Sequence, residues 1–344
     1  MAVRLKPISD QVIVITGATS GHGLGTAQKA AAAGARVMLA ARDGEALARI
    51  CEAIRAAGGV ADHVVTDVGI EADVERLADE TIARFGGFDS WVNNAGAGVY
   101  ALLSTLPIDE HRKVFETNYW GIVHGSLIAL RHLESRPGGG ALINIGSING
   151  DMGAPLLGAY SASKHAVKGF TDSLRIELMQ RKAPVSLTLI KPSAIGTPFP
   201  DHGRNHTGYR ARLPDPVYSP DLVADAILDA AQHRRRAVTV GGVGKLQVLG
   251  ATLFPSLFDR LATTMNAMLV DRTAPVPDTP GNLYAPQGDD RRAEGRQHGR
   301  RFSLFSTARR HGALTAGAAV AVAMVAIALR NARDSRRLPP APAR

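Results

Sequence analysis

The sequence predicts an α/β protein: a doubly wound parallel sheet, Rossmann-like and single-domain, with a hydrophobic helix added at the C-terminal end. Three observations predict it. Short apolar, β-branched runs alternate with helical patterns at least six times, and such alternation builds a parallel sheet with right-handed crossovers and helices on both faces. A glycine-rich turn separates the first run from the first helical pattern. Residues able to meet a ligand recur at the strand ends, the edge where such sheets bind ligands.

The 344 residues, 45% hydrophobic and 21% charged, suffice for one well-buried α/β domain with extras. Cys51 is the only cysteine, so an intrachain disulfide is excluded and a reducing compartment fits. The net charge of +9 is confined to one end. Residues 291–344 hold 12 arginines and no lysine against Glu294 and Asp334, a local balance of +10, while the remaining residues sum to −1. The body is electrically neutral, and nothing in it reads as a nucleic-acid module. The first residues lack the apolar run and cleavage site of a signal peptide.

In chain order, Val12-Ile13-Val14-Ile15 reads as a strand buried on both faces. Thr16-Gly17-Ala18-Thr19-Ser20-Gly21-His22-Gly23 follows, then a helical pattern over residues 24–33 that starts at Leu24. Gly17 permits a tight turn. Gly21 and Gly23 allow close approach of a pyrophosphate to the backbone at a helix N-terminus; the alternative is a plain βα loop. His22, inside the turn, receives no role. Residues 36–40 read as the second strand, with Ala41 and Arg42 at its end. An arginine there pairs with a 2′-phosphate and favours NADP(H) over NAD(H). The alternative is a solvated Arg42, neutralised by Asp43, at the head of the helix 43–57. A third strand, 61–65, ends at Asp67-Val68. Asp67 can accept from an adenine amino group or cap the helix 70–85. A fourth, 90–93, leads into Asn93-Asn94-Ala95-Gly96, which suits a loop packed under a cofactor or a simple turn.

Helical periodicity runs over residues 107–133 with Asn118 inside it, a residue that needs partners if buried. The strand 141–145 ends in Gly146-Ser147. Tyr160 and Lys164 then lie one turn apart on a helix reaching about residue 182, and a nearby ammonium favours the phenolate of Tyr160. A surface Tyr–Lys pair is the alternative. The strand 185–190 ends in Lys191-Pro192-Ser193-Ala194-Ile195-Gly196-Thr197-Pro198, and a last strand lies near 237–240.

Thr16-Gly17-x3-Gly21-x-Gly23, Asn93-Asn94-Ala95-Gly96, Asn118, Ser147 and Tyr160-x3-Lys164 stand in the order and spacing of the short-chain dehydrogenase/reductase family, which the chain resembles over roughly residues 8–240. Ser193, where the family usually has glycine, and His22 depart from the pattern. The resemblance implies hydride transfer between a nicotinamide and an alcohol/ketone pair. It gives catalytic roles to Asn118, Ser147, Tyr160 and Lys164. Ser147 bonds the reacting oxygen, Tyr160 moves the proton, Lys164 tunes Tyr160 and holds ribose hydroxyls, and Asn118 positions a water that links Lys164 to solvent. The expected cofactor-binding set is Gly17, Thr19, Ser20, Gly21, Gly23, Leu24, Arg42, Asp67, Val68, Asn94, Ala95, Gly96, Tyr160, Lys164, Pro192, Ile195 and Thr197, with no metal. Rival expectations are a membrane-tethered nucleotide-binding or scaffolding protein without catalysis, and an epimerase or dehydratase of the same type.

Residues 199–217 fall where the family has a mobile substrate loop; His202 and His206 within it read as solvated. Val99, Met152, Leu156 and Leu157 suggest an apolar alcohol or ketone as substrate. The domain of residues 8–245 is followed by apolar accessory helices over 246–272, interrupted at Pro255, which cover a substrate entrance, lie on a membrane, or pack on the body or on a second subunit. A Pro/Arg-rich linker, disordered or loosely docked, follows over 273–311. Residues 312–329 carry no charge and at ~1.5 Å each span about 27 Å, enough to cross a hydrocarbon core. With the basic tail 330–344 behind it, that segment predicts anchoring with the enzyme on the cytoplasmic face; an interfacial helix and a soluble cytoplasmic protein are the alternatives. A homo-oligomer is compatible with all of this.

Overall fold

The structure, a computed structural model, describes residues 3–286 and 292–302. In chain order the described elements begin β1 (Val12–Thr16), α1 (Gly21–Ala32), β2 (Arg36–Ala41), α2 (Gly44–Ala56), β3 (Val60–Val65), α3 (Glu71–Phe85) and β4 (Ser90–Asn93). Next come β5 (Val99–Tyr100), α4 (Ile108–Phe115), a π-helical turn (Glu116–Trp120), α5 (Gly121–Ser135), β6 (Gly140–Ile145), α6 (Gly158–Gln180) and β7 (Val185–Pro192). The chain continues through α7 (Phe199–His202), β8 (Arg204–Asn205), β9 (Tyr209–Ala211), α8 (Pro220–Gln232), β10 (Ala237–Val240), α9 (Gly242–Leu253), α10 (Pro255–Ala262), α11 (Asn266–Leu269) and β11 (Val270–Pro275).

Seven strands form one sheet in the order β10-β7-β6-β4-β1-β2-β3, with every neighbouring pair parallel. The period-2 alternation of a strand explains how it is covered. Ile13 and Ile15 of β1 point to one face and pack with Leu24 of α1, Leu47 of α2 and Ile227 of α8. Val12 and Val14 point to the other and join Leu77 of α3, Leu133 of α5 and Leu174 of α6. Both faces are dry, which is why β1 reads as an unbroken apolar run. The strand order reverses beside β1, leaving a crevice at the carboxyl ends of β1 and β4.

Several expectations change. The single helix over 107–133 is two helices joined by the π turn around Asn118. At Pro255, where the sequence already interrupts the accessory stretch, the missing N–H starts α10 rather than continuing α9. Its apolar stripe is not packed on the body. Leu246 is 68% exposed and Leu261 61%, with Leu249, Leu253 and Leu257 exposed between them. The substrate-loop segment is ordered by pairing, β8 with β5 and β9 with β11. The described part of the expected linker is docked, not loose. Asn205 and Thr279 exchange backbone hydrogen bonds, Leu283 is wholly buried, and Gly295 N–H donates to the Gly196 carbonyl at 2.8 Å. Backbone pairing, to which proline- and glycine-rich composition is blind, holds it there. Among the described residues no helix is long and apolar enough to cross a membrane; residues 312–329 and 330–344 lie outside the described residues.

Candidate active site

The floor of the crevice is the turn between β1 and α1. Gly17 and Gly21 have φ of +66° and +57°, a region that favours glycine. A Cβ on Gly23 would stand 2.2 Å from the Gly17 carbonyl oxygen and 2.5 Å from Asn94 Nδ2, so the turn closes only with glycine there. Asn94 locks it from the side, donating from Nδ2 to the carbonyls of Thr16 (2.9 Å) and Gly17 (3.2 Å). Its Oδ1 is therefore the acceptor for His22 Nδ1, 3.4 Å away, which assigns the ring proton. Burial, aided by the charge of Lys164, lowers the His22 pKa to about 4, so the ring is neutral at physiological pH.

Asn118 ties this floor to the catalytic helix. Its Oδ1 accepts from Ala97 N–H at 2.8 Å, while Nδ2 donates to the Ala97 carbonyl and to Ser163 Oγ, each at 3.0 Å. The π turn presents a buried amide to both, and π-bulges are frequent where function needs an irregular helix. These bonds use both Nδ2 N–H groups and one of the two lone pairs of Oδ1.

Ser147 follows β6, and α6 carries Tyr160 and Lys164 to the same point. Tyr160 and Ser147 line the cleft together, and the Ser147 hydroxyl acts on the Tyr160 phenol. Lys164 Nζ donates to the Ile145 carbonyl at 2.8 Å and lies 5.7 Å from the Tyr160 ring centroid. Burial pushes the Tyr160 phenol up, against the lowering by Ser147, and pushes Lys164 down to about 8. The lowered Tyr160 expected from the sequence does not appear, because burial outweighs the effect of the Ser147 hydroxyl.

One cleft unites these groups. Gly17, Thr19, Ser20, Arg42, Asp67, Val68, Asn94, Ala95, Gly96, Ser147, Tyr160, Lys164, Pro192, Ile195 and Thr197 all line it. Gly21, Gly23 and Leu24 shape the turn from behind, with Leu24 in the core. Of the residues read as an apolar substrate wall, Met152 and Leu157 line the cleft; Val99 and Leu156 do not. Ser193 also lines it. The backbone there is not left-handed, so serine fits where glycine is usual, and its side chain packs against Gly241 and Gly244. Arg42 Nη1 donates to the carbonyls of Leu283 (3.2 Å) and Tyr284 (3.1 Å), and Nη2 to that of Asn282. Asp67 Oδ1 accepts from Gly69 N–H at 2.9 Å, so it does not cap α3.

Residues that the sequence did not single out complete the wall. Tyr100, whose phenol burial pushes up, and Phe199, with its ring centroid 5.3 Å from that of Tyr160, face the catalytic group. Phe199 stands one residue past Pro198, and a Cβ on Gly98 would strike its ring at 2.5 Å. Met265 and Leu269 reach the cleft from the accessory stretch, so its end covers the cleft, one of the alternatives the sequence left open for it. His202 lines the cleft, whereas His206 pairs with Glu110 (2.7 Å) and Asp278 (3.1 Å). Among the described residues no cluster could hold a metal ion. The glycine-walled turn at one end, and Arg42 with Asp67 at the other, fit a nicotinamide dinucleotide.

The short chain dehydrogenase family model matches residues 11–207. The chain belongs to the short-chain dehydrogenase family. It is 43% identical to the uncharacterized oxidoreductase YxnA of Bacillus subtilis, over 75% of this chain and 73% of that protein. It is 35% identical to dehydrogenase/reductase SDR family member 7B of Bos taurus, over 74% and 81%. Among solved structures, a short-chain dehydrogenase/reductase from Burkholderia phymatum in complex with NAD matches with a TM-score of 0.62 and 28% identity, covering 78% of this chain and 98% of that one. An alcohol dehydrogenase from Thermococcus sibiricus complexed with 5-hydroxy-NADP matches with a TM-score of 0.58 and 25% identity, covering 67% and 95%. As a short-chain dehydrogenase the protein is an NAD(P)-dependent oxidoreductase.

Proposed function

We propose that this short-chain dehydrogenase transfers a hydride between NADP(H) and an apolar alcohol or ketone, with Tyr160 as general acid and base. The observation that carries the proposal is the meeting of Ser147, Tyr160 and Lys164 in the cleft that also holds the Gly17–Gly23 turn. The nicotinamide, when bound, supplies or accepts the hydride. In reduction, the Ser147 hydroxyl donates to the carbonyl oxygen as negative charge builds there. Tyr160, held protonated by its buried setting, delivers its proton to that oxygen. Lys164 offsets the phenolate left behind and offers N–H donors to ribose hydroxyls. Asn118 is a positioning residue, joining the Ala97 backbone to Ser163 beside Lys164.

Arg42 favours a 2′-phosphate, Asp67 the adenine amino group, and Ile195 with Thr197 the carboxamide. Tyr100, Met152, Leu157 and Phe199 support an apolar substrate. The exposed leucines of α9 and α10 support work at a membrane surface, with residues 312–329 as anchor.

The test is cofactor consumption across a panel of apolar ketones. The expected result is oxidation of NADPH faster than of NADH, with the preference narrowed or reversed in an Ala41→Asp, Arg42→Ser double variant. Absence of ketone-dependent oxidation with either cofactor contradicts the proposal.

A further inference from the structure

The chain's own C-terminal segment sits on the donors that the proposed cofactor site offers to phosphate. Gly21 N–H, at the head of α1, donates to the Arg292 carbonyl at 3.1 Å. Arg42 donates to the carbonyls of Asn282, Leu283 and Tyr284, which uses both N–H bonds of Nη1. Carbonyl oxygens carry partial negative charge, so here they stand in for phosphate oxygens. An N–H holding one acceptor at about 3 Å cannot hold a second at full strength.

Both flanks of these contacts are anchored. On one side Asp278 pairs with Arg204 and His206, Asn282 N–H donates to the His202 carbonyl at 2.8 Å, and Leu283 fills a pocket with Val99, Leu106 and Val114. On the other, Gly295 bonds Gly196, Gln297 bonds the Leu213 backbone twice, and Arg300 N–H donates to the Val217 carbonyl. The contacts to Gly21 and Arg42 lie between, over the two ends of the dinucleotide site.

We infer that residues 282–286 and 292–300 form an autoinhibitory strap, an internal competitor that must leave Gly21 and Arg42 before a dinucleotide binds. The inference rests on the assignment of this cleft to NAD(P)(H). Closure then sets cofactor affinity, and whatever lifts the strap activates the enzyme.

A reversible cross-link tests it on the full chain. A Cβ on Gly25 would lie 3.8 Å from Ala293 Cβ, the separation a disulfide needs. The Gly25→Cys, Ala293→Cys variant, oxidised, fastens the strap to α1; Cys51 is buried and takes no part. Binding of NADPH and NADH is followed by their fluorescence. The oxidised form should bind at least about tenfold more weakly than the reduced form, and the reduced form should match the wild type. Equal or tighter binding by the oxidised form overturns the strap as a competitor. Leu283→Ala, which weakens the anchor, should tighten binding several-fold; unchanged or weaker binding counts against it. Hydrogen exchange in the wild type gives an answer even without a cross-link: saturating NADPH should raise exchange at 282–286 and 292–300, and protection there overturns the proposal. A wild type that binds neither cofactor removes the assignment of the cleft itself, a result distinct from failure of the strap alone.

Discussion

Lys164 shows how one side chain's setting decides its chemistry. The spacing Tyr160-x3-Lys164 places the two groups on one helix face, and that much was readable. The net direction of each pKa was not, since it depends on burial by residues distant in sequence. Burial brings Lys164 from 10.5 down to about 8. Between those values the unfolded chain holds a proton that the folded chain has lost, so this group makes stability rise with pH across that window. Lys164→Met removes the contribution. Urea unfolding of the cofactor-free protein should show the wild type gaining on the order of 3 kcal/mol over the variant from pH 8 to pH 10.5; parallel curves would contradict a buried, depressed Lys164. His22 obeys the same sign at acid pH, as a neutral ring whose protonation below about 6.5 favours the unfolded chain.

The β1–α1 turn is the element where local sequence and geometry agree most closely. Gly17, Gly21 and Gly23 were legible because each answers a local demand for a positive φ or an absent Cβ. Gly23→Ala drives a methyl group to 2.2 Å from the Gly17 carbonyl oxygen, and backbone rather than a flexible side chain must yield. The variant should lose about 1–3 kcal/mol of stability, the range for overpacking, and bind cofactor far more weakly. Wild-type melting and wild-type fluorescence titration would show that the turn is looser than described. The π turn was not legible. Asn118 signalled a need for partners, but Ala97 and Ser163 lie 21 and 45 residues away, and only their approach makes a π turn better than a continuous helix.

At the scale of the molecule, alternation of buried runs and amphipathic helices was enough for the parallel sheet and its binding edge. It was silent on the C-terminal third, where contacts run through backbone and single anchors such as Leu283. The proline- and glycine-rich residues after β11 therefore looked like a linker, whereas among the described ones Asn282 and Pro286 line the cleft. The leucine stripe of α9 and α10, for which spacing left an entrance, a membrane and a packing partner open, is exposed. Together with the uncharged residues 312–329, it leads to an expected outcome in cells: the full-length chain stays with membranes through carbonate extraction, and release into the supernatant contradicts an inserted anchor.

Hydride transfer with Tyr160 as proton carrier is the central claim, and Tyr160→Phe tests it most directly, because the change deletes one hydroxyl and keeps the ring that packs against Phe199. Turnover of an accepted ketone and NADPH affinity are measured on the same preparation. Turnover should fall by about 10²–10⁴-fold or more, the contribution typical of a positioned proton donor, with affinity for NADPH within a few-fold of wild type. Turnover retained at the wild-type level would contradict it.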